Sequence, residues 1–204
     1  MSPIKVSLIA EGPLDEQVLR QLLIQSAPHL LPGVCHGKKG RIWLNTNLIN
    51  FNKAAHSWPF VSLGDLEHDE CPPTLLSLWY PNGKHGNIQS RIAVRMVESW
   101  LLADREAIAQ FLGVALHHIP HSPEDEINPK LVMVNLARRS RYRIIKEDMV
   151  PPINSSGSVG KNYRGQLEKF VVEKWQAKRA QNCSPSLQHA VRSLKHFHPV
   201  LPGN

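Results

Sequence analysis

The stretch Ile4-Lys5-Val6-Ser7-Leu8-Ile9-Ala10-Glu11-Gly12-Pro13-Leu14-Asp15-Glu16 decides the fold. Ile4, Val6, Leu8 and Ala10 fall on one face of an extended chain, with Lys5, Ser7 and Ile9 on the other, a period of two that predicts a β-strand. Glu11-Gly12-Pro13 breaks it, and Leu14, Val18, Leu19, Leu22 and Leu23 then share one face of a helix. A strand feeding a helix through a tight turn opens an α/β sheet, in which the carboxyl ends of the strands share one edge. Glu11 lies at that edge. Asp15 and Glu16 sit in the first helical turn, where the positive end of the dipole favours acids and accounts for them.

Working outward, Pro59-Phe60-Val61-Ser62-Leu63-Gly64 predicts a second strand ending at Asp65. If that strand persists through Leu66-Glu67, alternation puts Asp65 and Glu67 on the same side, facing one cation. Pro72 and Pro73 suit a helix start, continued by Leu75, Leu76 and Trp79. The segment from Arg91 to Val97 predicts a third strand, after which Glu98 opens a helix carrying Trp100, Leu101, Ile108, Phe111 and Leu112 up to Gly113. Glu11, Asp65 and Glu98 thus gather at one edge although far apart in sequence. Such acids suit a hard cation, Mg²⁺ above all, and phosphoryl-transfer chemistry. Asp104, six residues beyond Glu98, points elsewhere on its helix and reads as structural.

A chain of 204 residues fits one domain with additions, and a formal charge of +7 favours an anionic partner. No apolar run approaches the length of a bilayer and the amino terminus lacks a signal-peptide layout, so a cytoplasmic protein that contacts no membrane is expected. Cys35, Cys71 and Cys183 are widely spaced and predict reduced thiols, with neither disulfides nor a zinc site. The stretch His36-Gly37-Lys38-Lys39-Gly40 reads as a solvated turn, with a phosphate-contacting loop as the alternative, before a helix through Leu44, Leu48, Ile49 and Phe51.

After Gly113 the pattern changes. Residues 1–113 read as the α/β domain and residues 114–204 as a mainly helical basic extension packed on it. A helix from Asn128-Pro129 runs through Leu131, Val134, Leu136 and Ala137 into Arg138, Arg139, Arg141 and Arg143. With Lys146 and Lys161 these are the candidate phosphate contacts, although basic residues at a helix carboxyl end are favoured by its dipole in any case. Asn154 to Lys161 predicts a flexible segment whose glycine spacing fails the nucleotide-binding loop pattern. Two more helices follow, one with Leu167, Phe170, Val171 and Trp175, the other with Leu187, Val191 and Leu194, and the last few residues are expected to be loose. Trp79, Trp100 and Trp175 fall within apolar patterns and are assigned to the core.

Four strings taken together, Glu11-Gly12 with Asp15-Glu16, Asp65-Leu66-Glu67, Glu98-Ser99-Trp100-Leu101-Leu102-Ala103-Asp104 and Asn135-Leu136-Ala137-Arg138-Arg139-Ser140, resemble the Toprim-like proteins of the family called domain of unknown function 4276. The resemblance implies a Toprim-like, Rossmann-like, mainly parallel sheet flanked by helices. It also implies a nuclease using Mg²⁺, or Mn²⁺, with Glu11 as general acid or base, Asp65 as first metal ligand and Glu67 in the second ligand position. Glu67 departs from the family's second Asp, which leaves Asp69 as a substitute or added ligand and Glu98 as a third acid. Relatives of this kind work beside an ABC-type ATPase in bacterial anti-phage defence, so a similar partner is implied. Two other functions stay open: a non-catalytic subunit that binds nucleic acid or an ATPase, and a small-molecule phosphohydrolase. His68, beside the acids, is a candidate proton shuttle or a solvated turn residue.

Overall fold

The computed structural model describes residues 3–200. Its elements run β1 (Ile4–Ala10), α1 (Pro13–Ser26), β2 (Leu30–Gly37), α2 (Arg41–Ala54), β3 (Phe60–Asp65), α3 (Pro72–Trp79), β4 (Ile88–Ala93), α4 (Val97–Leu102) and α5 (Arg105–Leu112). The extension adds α6 (Pro129–Arg138), α7 (Arg143–Met149), α8 (Tyr163–Glu173), α9 (Ala177–Ala180) and α10 (Pro185–Lys195). The four strands form one all-parallel sheet in the order β2-β1-β3-β4 with helices on both faces, a Rossmann-like arrangement consistent with the Toprim-like expectation. Leu8 pairs with Val61 and Asp65 with Ala93, which brings the carboxyl ends of β1, β3 and β4 to a common edge.

Several boundaries differ from the sequence reading. Leu30–Gly37 is a strand that the sequence reading did not expect, and it takes in the start of the stretch read as a turn from His36: it lies at a sheet edge, where Pro32 is tolerated, and its pairing with β1 slips between Val6 and Leu8. The third predicted strand starts earlier and ends at Ala93, and β3 stops at Asp65, so strand alternation does not extend to Glu67. Glu67 instead has a φ of 50°, in the left-handed region. The helix predicted from Glu98 to Leu112 is two helices, divided at Ala103-Asp104. The arginine-rich helix ends at Arg138, because Ser140 turns the chain: its hydroxyl donates to the Leu112 carbonyl at 2.5 Å and accepts from the Tyr142 N–H at 2.9 Å.

The apolar core lies on both faces of the sheet. On one, Ile9, Phe60, Ile88 and Ile92 meet Leu44, Leu48, Leu75 and Trp79 of α2 and α3. On the other, Val6, Leu8, Val61 and Leu63 pack under α1, and the same contiguous cluster runs through Trp100 and Ile108 to Phe170, Trp175, Leu187 and Leu194. The extension therefore shares its core with the sheet. At about 1.5–3 kcal/mol for each fully buried large apolar side chain, the helices of residues 114–200 contribute heavily to holding that face shut. Trp79, Trp100 and Trp175 are all buried, as assigned.

The two ends of the described chain meet at the amino edge of the sheet, opposite the acids. Ile4 N–H donates to the His29 carbonyl at 2.8 Å, the His29 ring lies 2.9 Å from the Phe197 carbonyl, and Asn87 exchanges two hydrogen bonds with the Val200 backbone at 2.7 and 2.8 Å. Residues 201–204, expected to be loose, lie outside the described residues. No described helix is long and apolar enough to cross a membrane.

Candidate active site

Glu11 leaves β1 into the turn before α1, and its Oε1 accepts the backbone N–H of Asp65 at 3.0 Å. Gly64 makes this seat. A Cβ there would stand 2.7 Å from Leu44 Cδ2, 3.0 Å from the Trp79 ring and 3.1 Å from Glu11 Oε1. Asp65 closes β3, and its Oδ1 accepts the Val97 N–H that begins α4 at 2.9 Å. One residue on, Glu98 is only 2% exposed; its Oε1 accepts the Tyr163 hydroxyl of α8 at 3.2 Å and lies 3.8 Å from Lys130 Nζ of α6.

A fourth acid joins them. Asp15, one turn into α1, is 8% exposed, and its buried Oδ1 has no hydrogen-bond partner. Burial, then the charges of Glu11 and Glu98, push the Asp15 carboxyl up to about 7. The Asp65 carboxyl is held well above the usual range by burial and by Asp15, Glu98 and Glu11, and Glu11 is raised chiefly by burial. These shared perturbations place the four carboxylates in one electrostatic neighbourhood. Burial also lifts the Tyr163 phenol well above its ordinary value, with the Glu98 carboxylate adding to the effect, so Tyr163 stays a hydrogen-bond donor.

Glu67 and Asp69 sit apart from this set, on Arg41. The Arg41 guanidinium lies 3.4 Å from Glu67 Oε2, pairs with Asp69, and donates to the Asp65 carbonyl at 2.7 Å. Glu67 remains near enough to Glu11 to raise its pKa, while His68 projects into solvent. Glu16 belongs to Arg20 and Lys38, at 2.8 and 2.9 Å. Asp104 is taken by Arg179.

Arg138, Arg139, Arg141, Arg143, Lys146 and Lys161 are all exposed. Arg143 is occupied by Glu147 at 2.6 Å, Arg138 bonds to Asn135 at 3.0 Å, and Arg141 stacks over the Tyr142 ring at 5.0 Å. Sequence reasoning missed Asp15, Lys130 and Tyr163. The first had a sufficient explanation as a dipole-favoured acid; the other two come from the extension, and only the tertiary fold brings them to Glu98.

Among the described residues, no three His, Cys, Asp or Glu side chains are arranged to hold a metal ion. The chemistry of the donor set nevertheless fits one: all four groups are hard oxygen donors, Lys130 is the one cation in ion-pair contact with them among the described residues, with Arg41 acting on Glu11 from further off, and Asp15 Oδ1 lacks any partner. Gathering on one ion requires the carboxylates to turn toward each other. No family model, curated protein or solved structure matches the chain.

Proposed function

We propose that the chain is a metal-dependent phosphodiester hydrolase acting on nucleic acid, with Glu11, Asp15, Asp65 and Glu98 as its acid centre. The observation behind this reading is three buried carboxylates, Glu11, Asp15 and Glu98, gathered with the half-buried Asp65 at the carboxyl edge of a parallel sheet, with Lys130 beside Glu98 and one buried Asp15 oxygen unpartnered. Structural acids in cores are charge-compensated one by one; here a single lysine ion pair, at Glu98, serves four acids. Mg²⁺ or Mn²⁺, when bound, supplies a Lewis acid and lowers the pKa of water.

The chain's own residues have separable tasks. Val97 N–H and the Tyr163 hydroxyl fix the carboxylates of Asp65 and Glu98 so that their remaining lone pairs are free to bind. Glu11, with its pKa raised and one oxygen anchored on Asp65 N–H, is the group to hold or pass a proton at its second oxygen. Arg41 ties Glu67 and Asp69 to the turn that follows β3, which gives those two acids a positioning role. The exposed cations Arg139, Lys146 and Lys161 are suited to neutralising backbone phosphates.

The test is calorimetric titration of Mg²⁺ and Mn²⁺ into the wild type, Glu11→Gln and Asp65→Asn, alongside hydrolysis of single- and double-stranded DNA and RNA. Binding that disappears in both variants, with metal-dependent cleavage lost too, is expected. Folded variants that bind the metal as the wild type does would refute the acid centre.

A further inference from the structure

A second place in the molecule carries chemistry independent of the acids. β4 is the edge strand opposite β2, and beside it a half-open cleft of about 420 Å³ lies between the starts of α3 and α10. Pro72, Leu76, Ile92, Val94 and Pro185 give it apolar walls. Its volume falls in the range of small-molecule sites.

Arg91 of β4 lines this cleft. Its Nη1 lies 2.8 Å from Ser193 Oγ and 3.1 Å from His189 Nδ1, while its buried Nε has no partner. A guanidinium has no lone pair to offer, so His189 Nδ1 accepts and the ring keeps its proton on Nε2, neutral. No carboxylate pairs with Arg91 among the described residues. Burial instead pulls the guanidinium down to about 10. Arg91 is half-buried with its Nε enclosed, and a partly desolvated cation without a counter-ion costs free energy that an anionic ligand would recover.

The acid at the cleft, Glu124, is committed elsewhere. Its Oε1 accepts from the Ser186 N–H at 3.0 Å, from the Ser186 hydroxyl at 2.8 Å and from the Ser184 hydroxyl, holding the start of α10. Its carboxylate still lines the cleft and repels an anion there, a doubly charged one twice as strongly as a singly charged one.

We propose that this cleft binds a small aliphatic monocarboxylate, its carboxylate on Arg91 and its apolar body against Leu76, Ile92 and Val94. The one group supplies the missing counter-ion and the other fills walls too apolar for a free sugar or nucleotide. Phosphate esters fit less well, because Glu124 repels the second charge.

Calorimetric titration of hexanoate, hexan-1-ol and hexyl phosphate into the full chain tests this, together with Arg91→Gln. Hexanoate is expected to bind, the alcohol and the phosphate ester to bind about tenfold more weakly or worse, and Arg91→Gln to lose about tenfold in hexanoate affinity, the scale of a charge-assisted hydrogen bond. If the variant fails to fold, ¹⁵N-labelled wild type decides: hexanoate is expected to move the resonances of Arg91, Ile92, Ser186 and His189. No hexanoate binding, shifts located elsewhere, equal affinity for the alcohol or the phosphate ester, or a folded Arg91→Gln that binds as the wild type does would each overturn the assignment.

Discussion

Asp104 and Asp15 are both buried aspartates, 1% and 8% exposed, and the protein treats them in opposite ways. Asp104 receives Arg179 through two bonds of 2.8 Å and the Gln176 N–H at 2.8 Å, so each oxygen is satisfied and the charge is cancelled. Asp15 has other acids for neighbours and an orphaned oxygen. The same fold that delivers an arginine from α9 to one carboxylate leaves the other group of carboxylates mutually repelling. The pairing at Asp104 stabilises a helix junction; the repulsion at Asp15 lowers stability, which a bound cation would restore.

The largest effect is expected at the paired site. Asp104→Ala strands a guanidinium and an N–H, and should cost about 3–5 kcal/mol in urea unfolding. A loss below about 1 kcal/mol would break the contrast.

At the unpaired site the sign reverses. The folded-state pKa of Asp15 lies near 7 and the unfolded value near 3.8, so the folded protein binds more protons between them. Its contribution to stability is greatest below pH 4 and is lost as pH rises toward 7. In chelator at pH 8, Asp15→Asn should therefore be more stable than wild type, by on the order of 3 kcal/mol, with the difference vanishing near pH 4. A variant that is less stable throughout would show that Asp15 is tied down after all.

Next in size comes the metal. At about 100 times its Kd, Mg²⁺ should add about 2.7 kcal/mol to the stability of the wild type, read as a raised Tm, and nothing to Asp65→Asn. The smallest effect belongs to Glu67, half-exposed and sharing Arg41 with Asp69 and the Asp65 carbonyl. Glu67→Gln should change stability by less than about 1 kcal/mol, and should cut cleavage far less than Asp65→Asn does.

The sheet core was legible because β1 and β3 carry period-two or continuous apolar runs that end abruptly at Glu11 and Asp65. β2 was not, since Pro32, Gly33 and Gly37 are turn residues by composition and only an edge position tolerates them in a strand. Glu11, Asp65 and Glu98 were readable as strand-end acids brought to one edge by parallel topology. The alternation that would set Glu67 beside Asp65 required the strand to persist through Leu66-Glu67, and β3 ends at Asp65. Asp15 was passed over because a helix start explains an acid locally, whereas its isolation from any cation is a property of the packed structure. Lys130 and Tyr163 reach Glu98 from 32 and 65 residues away, beyond any local signal.

The placing of Ile4 and Val200 on one side of the sheet bears on how the molecule can be handled. Ile4 and Val200 are both stitched to the segments that lead into the strands, on the side opposite Glu11 and Asp65. A tag, a fluorophore or a surface tether attached at either end leaves the acid edge pointing outward.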